Sequence, residues 1–159
     1  KQLLAAGPPL LSIRKRGSRG RSGSHILKLS EMFQVSGLDI EITALEENII
    51  PEHYARNMKT FSAKEQSTLL SAQVSIVGLG GLGGAVTEIL ARVGIGRLSL
   101  IEADMFEESN LNRQFLSTHR RLETSKTKAA VKRVREINPA VVVNGYDEFL
   151  YFCVWNCVK

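Results

Sequence analysis

The chain has 159 residues, enough for one modest domain with its own core or for part of a larger one. Its formal charge is +5, but seven of its 21 Lys and Arg residues (Lys1, Arg14, Lys15, Arg16, Arg19, Arg21 and Lys28) precede position 31, where there is no acid, leaving 14 basic against 16 acidic residues beyond it. That excludes reading the net charge as a basic folded face for nucleic acid, and no apolar run is long enough to span a membrane.

Residues 1–23, whose second half falls in the stretch "RKRGSRGRSGS", read as a solvated, disordered basic tail. A transit peptide is the sharper alternative, but Gly7, Pro8 and Pro9 interrupt the apolar run an amphipathic helix would need. Residues 24–50 read as a small helical segment. Ile26, Leu27, Leu29, Met32, Phe33 and Val35 give one short helical period, broken at Gly37. A second period puts Ile40, Ala44, Leu45 and Asn48 near one face, and Pro51 ends it. Ser62 and Glu65 have the spacing of a capping box for a helix through about residue 71.

The pattern then changes. Val74, Ile76 and Val77 read as a buried strand, and Leu82, Val86, Ile89, Leu90 and Val93 as the packing face of a helix that Gly94 and Gly96 stop. Leu98, Leu100 and Ile101 mark a second strand. Residues 125–137 form a helix with Ala129, Ala130, Val131, Val134 and Ile137 inward, and "NPAVVVNGY" supplies a turn and a third strand. Alternation of strand and helix predicts an α/β, Rossmann-like parallel sheet with flanking helices, incomplete and preceded by the short helical segment. The nucleotide-binding domain is expected over residues 51–150, with 151–159 an atypical end holding Cys153 and Cys157. That pair, with no second pair of ligands, reads as ordinary thiols of a reduced, cytoplasmic protein.

Between the first strand and its helix stands "VSIVGLGGLGG". Gly78 suits a tight turn, Gly80 close approach of backbone to phosphate, and Gly83 close packing of helix on strand, with Gly81 baring the loop further. Backbone N–H groups at the helix start would meet the anion. Glu102, 19 residues past Gly83, stands where a carboxylate can hold ribose hydroxyls. To this point NAD fits as well as ATP, so an NAD(P)-dependent oxidoreductase remains open.

"SNLNRQF" at 109–115 follows the second strand, on the side of the sheet where ligands bind. Together with the glycine loop and the acid-ended strand, it resembles the ThiF/MoeB/HesA family, relatives of the ubiquitin-activating enzymes, from about Tyr54 to Val143. The resemblance implies a nucleotidyltransferase that uses ATP and Mg2+ to adenylate the C-terminal glycine carboxylate of a ubiquitin-like or sulfur-carrier protein, releasing pyrophosphate. It implies that Arg113 contacts the phosphates, Asn110 helps hold the nucleotide, and Lys126 neutralises developing charge. Arg56, in "YARNM", would reach across a homodimer into the partner's site. Glu102 replaces the usual ribose-binding Asp, Asp104 matches the second acid, and "LETSK" replaces a Gly-containing approach to the lysine. The family's magnesium-binding Asp falls beyond the third strand, so no metal ligand is assigned here. The chain, with Lys1 in place of an initiator Met, is expected to be an inactive fragment. A scaffold that holds nucleotide without catalysis is the remaining alternative.

Overall fold

The computed structural model describes residues 22–149. The expectations for the basic tail up to residue 21 and for Cys153 and Cys157 lie outside them. Helix α1 (Ser22–Phe33) begins two residues inside the expected tail, and Gln34, at φ 52°, turns the chain out of it. Helix α2 (Gly37–Glu46) starts where a break was expected. Ser36 caps it by accepting from the Asp39 N–H at 3.1 Å, so Gly37 opens the helix. Leu38, Ile40, Ala44 and Leu45 are buried. Asn48, expected on that face, lies beyond the helix in the left-handed region and is exposed.

Two 3-10 turns, Glu52–Tyr54 and Asn57–Lys59, lead to α3 (Ala63–Ser71). Its start shows the expected capping box: Ser62 Oγ accepts from the Glu65 N–H, and the Glu65 carboxylate accepts from the Ser62 N–H at 2.7 Å. Then come β1 (Gln73–Val77), α4 (Gly81–Val93), β2 (Arg97–Ile101), α5 (Lys126–Ile137) and β3 (Val142–Tyr146). The three strands are parallel in the order β1-β2-β3, as the α/β reading requires.

Register assigns the two faces. Val74, Ile76, Leu98, Leu100 and Val143 point into the core with Ala91, Ala130 and Val134 of the helices. The other face carries the row Val77, Ile101 and Tyr146, and Val77 is 58% exposed, which corrects its expected burial. Strand period puts Ile76 and Val77 on opposite faces. On α4, Val86, Leu90 and Val93 pack against the core as expected, while two other positions differ from expectation. Gly84, Thr87 and Ala91 are buried, while Leu82 and Ile89 are 80% and 61% exposed. The reason is distance: a Cβ on Gly84 would already touch the Leu116 side chain at 3.4 Å, so the inward side takes small residues.

A buried polar network ties the amino-terminal helices to the sheet. Tyr54 Oη donates to Glu41 Oε2 at 3.1 Å and accepts from Asn138 Nδ2 at 2.8 Å, while His53 Nε2 lies 3.1 Å from Glu41 Oε1. Burial foremost, and the Glu41 charge after it, pushes the Tyr54 phenol far above its usual pKa and keeps it a neutral donor.

Candidate functional site

At the carboxyl ends of the strands, the loop after β1 faces the long loop between β2 and α5. Gly78 takes φ 87°, the left-handed turn expected of it. A Cβ on Gly83 would lie 1.7 Å from the Gly78 carbonyl oxygen, so only glycine lets α4 start this close to β1. Gly80 differs. Its missing Cβ would meet nothing nearer than Gln114 Nε2 at 3.8 Å, which leaves open space beside the backbone.

That space is a cavity of about 450 Å³ whose lining includes Gly80, Gly81, Glu102, Asp104, Glu107, Asn110, Arg113, Gln114 and Lys126. All but three of the expected site residues therefore converge on one cavity from separate parts of the chain. Gly78 and Gly83 shape its floor through the turn. Arg56 is the residue the fold does not bring there: its neighbour Asn57 donates to the Val93 carbonyl at 3.4 Å, at the far end of α4 from the glycine loop. A helix of 13 residues puts those ends roughly 18 Å apart.

Local folding fixes each group. Ser125 caps α5 by accepting from the Lys128 N–H, so Lys126 is the first helical residue. Its Nζ lies 3.2 Å from Asp104 Oδ2. The lysine side chain is 7% exposed and the aspartate 55%. Glu102 spends its carboxylate on backbone: Oε2 accepts from the Leu79 N–H of the glycine loop at 3.0 Å and Oε1 from the Asp104 N–H at 3.1 Å. The longer side chain thus links the glycine loop to the end of β2. Arg113 donates from Nη1 to the Ser109 carbonyl at 2.6 Å and to Asn112 Oδ1, and it remains exposed beside Gly81. Asn110 is buried, and its Oδ1 accepts from the Glu107 N–H at 3.2 Å, which braces the loop that presents Arg113.

Gln114 was not assigned a role from sequence, although it sits in the same polar string. It is 7% exposed, and its Oε1 has no hydrogen-bond partner. A buried carboxamide beside a glycine loop, with an oxygen that no protein group satisfies, is a group with hydrogen-bonding capacity in reserve for a ligand. Chemically the cavity offers a bare backbone turn, two cations and three carboxylates, with no Ser–His or Cys–His pair along its lining. This equipment suits binding and charge stabilisation of an anion. Among the described residues no group of three or more His, Cys, Asp or Glu side chains could hold a metal ion, and no helix is long and apolar enough to cross a membrane.

Known proteins resemble this chain in sequence and fold. An Arabidopsis thaliana adenylyltransferase and sulfurtransferase MOCS3 is 35% identical over 123 residues, which is 73% of this chain and 26% of that protein. A Thermus thermophilus sulfur carrier protein adenylyltransferase is 42% identical over 81 residues, 51% of this chain and 30% of the other. The Escherichia coli tRNA N6-threonylcarbamoyladenosine dehydratase, solved with ATP, superposes with a TM-score of 0.64 at 28% identity, over 68% of this chain and 46% of that one. The chain thus spans less than half the length of each of these proteins, and its homology is to family members that include adenylyltransferases. The ThiF family pattern matches residues 54–151, from the tyrosine that anchors the amino-terminal turns to the end of the third strand and just past it, and the chain belongs to the ThiF family.

Proposed function

We infer that this chain supplies the ATP site of an enzyme that adenylates the C-terminal glycine carboxylate of a ubiquitin-like or sulfur-carrier protein and releases pyrophosphate. The observation that carries the reading is the convergence of Gly80, Gly81, Arg113 and Lys126 on one cavity. The names of the MOCS3 and Thermus relatives support the reaction, and the ATP in the dehydratase structure supports the nucleotide.

A carboxylate is already ionised at neutral pH, so the reaction needs no general base. Its difficulty is bringing one anion to the α-phosphorus of another, which calls for alignment and positive charge. The turn at Gly80 and Gly81 gives phosphate oxygens access to backbone N–H groups. Arg113 and Lys126 meet the phosphate charge, and Asn110 and Gln114 hold the nucleotide. Asp104 and Glu102 lie on the ribose side, where Glu102 accepts from hydroxyls with the lone pairs its backbone bonds leave over. Magnesium would add charge on the phosphates; it enters through the family resemblance, and the residues described here do not form a site for it.

A homodimer belongs to the same reading. Arg56 lies at the far end of α4 from its own cavity, as a residue serving a partner's site would. Leu82, Ile89 and Phe115, at 80%, 61% and 77% exposure, give α4 and the adjoining loop an apolar surface for a second copy.

Thermal unfolding with Mg·ATP and, separately, with NADH tests the nucleotide. A ligand bound only by the native state adds about 2.7 kcal/mol at a hundredfold excess over Kd. Stabilisation by ATP and none by NADH is expected. Stabilisation by NADH alone would return the oxidoreductase alternative, and ATP binding without adenylate formation by the intact enzyme would leave a scaffold.

A further inference from the structure

We propose that the groove between α5 and the outer edge of β3, which no strand among the described residues covers, takes an extended acidic segment of another protein, added to the sheet as a strand. The groove is separate from the nucleotide cavity and larger, about 640 Å³, with Thr127, Val131, Val143 and Gly145 along its floor and Lys132 and Arg135 on its wall. Its backbone is ready for pairing. The Val142 N–H donates to the Gly96 carbonyl at 2.9 Å and the Tyr146 carbonyl accepts from the Glu102 N–H at 3.1 Å, so residues 142 and 146 face β2. Backbone direction alternates along a strand, which turns the N–H and C=O groups of Val143 and Gly145 to the open side. An edge of this kind is a template for another strand.

Gly145 sets the shape of the groove. A Cβ there would lie 2.6 Å from Thr127 Cγ2 and 2.7 Å from Val131 Cγ2, so α5 sits directly over the edge. A strand added to β3 therefore runs along α5, and every second side chain meets that helix.

Charge decides what those side chains are. Lys128, Lys132 and Arg135 recur at i, i+4 and i+7 on α5 and all line the groove. Its two acids are engaged: Asp147 lies 3.6 Å from Lys128 Nζ and accepts from Ser125 Oγ, and Glu136 lies 3.8 Å from Arg133. Lys132 and Arg135 have no ion pair among the described residues. Residues 150–159 of this chain carry no acid, so they do not match that wall. Single-stranded nucleic acid would want aromatic side chains for its bases, and the groove has none.

The probe is a fluorescein-labelled peptide of alternating Glu and Val, read by fluorescence anisotropy against the 159-residue chain. Three controls accompany it: a Lys-Val peptide, a Glu-Val peptide N-methylated at alternate amides, and an eight-residue oligouridylate. Saturable binding of the Glu-Val peptide is expected, at least tenfold weaker for the Lys-Val and N-methylated probes and at least tenfold weaker for the K132E/R135E double variant. Both substitutions are on the exposed face of α5, so the variant should keep the parent's unfolding midpoint. Equal binding of the N-methylated peptide would show charge attraction without strand pairing and overturn the proposal. Equal binding by the double variant, tighter binding of the oligouridylate, or no binding of any peptide would overturn it as well.

Discussion

Replacing Lys126 by Met separates the two things this lysine can do. Methionine keeps most of the buried stem and removes the charge. The charge is paired with Asp104, whose side chain is 55% exposed and can be hydrated once the lysine is gone. Pairs with a partner that open contribute about 0–1 kcal/mol, so the unfolding free energy should change by no more than about 1 kcal/mol. A nucleotide phosphate in the cavity would lose a charge-assisted contact worth about 1.5–3 kcal/mol, which corresponds to affinity for Mg·ATP falling roughly tenfold to a hundredfold. Calorimetric titration at fixed salt, alongside denaturant unfolding, reads both quantities. A Kd within twofold of the parent, with stability unchanged, would refute the reasoning and leave Lys126 as no more than the residue that holds Asp104 at the end of β2.

Three further outcomes are expected. Gly83→Ala should destabilise by at least about 3 kcal/mol, the upper range for overpacking, because its Cβ would fall 1.7 Å from a backbone oxygen, whereas Gly80→Ala should fold within about 1 kcal/mol of the parent and weaken ATP binding; equal destabilisation in urea melts would contradict the division of labour in the loop. Arg56→Ala should leave the Kd for Mg·ATP of the monomeric chain within twofold, since Asn57 beside it bonds at the far end of α4, and a tenfold loss in the monomer by the same calorimetry would place Arg56 in its own chain's cavity. Hydrogen bonds from Arg133 and then Arg92 hold the Glu88 carboxyl at about 2 rather than 4.5. That folded-state value is depressed, so its contribution is present above about pH 4.5 and lost as pH falls toward 2. Glu88→Gln should flatten stability over that window, and parallel acid melts of parent and variant check it.

What could be read from sequence was what neighbours in sequence decide. The capping box at Ser62 and Glu65 closes within four residues, and the glycine loop and the strand before it form one continuous signal. The cavity was legible in outline because Gly80, Glu102, Arg113 and Lys126 sit at fixed distances from strand ends, and parallel strands bring those ends together. Gln114 was missed because its significance is an unpaired buried oxygen, which only the packed environment reveals.

The errors share a physical cause. A hydrophobic period identifies the bulky side of a helix, and Val86, Leu90 and Val93 of α4 do pack against the core, yet its most buried positions are the small residues Gly84, Thr87 and Ala91, while Leu82 and Ile89 stay exposed. Likewise Val77 looked buried beside Ile76, although strand geometry sends adjacent side chains to opposite faces. The apolar residues misread as core are thus ones left on surfaces: Val77, which shares one face of the sheet with Ile101 and Tyr146, and Leu82 and Ile89 on α4. A parallel sheet is ordinarily covered on both faces. Sequence pattern therefore recorded a real demand for burial, and its mistake was to assume that the burial is met within these residues. Leu82 follows Gly81 of the nucleotide loop, and the Val77 row ends where that loop begins. Whatever covers those surfaces would touch the backbone that lines the cavity, so association and nucleotide affinity should prove coupled in this chain.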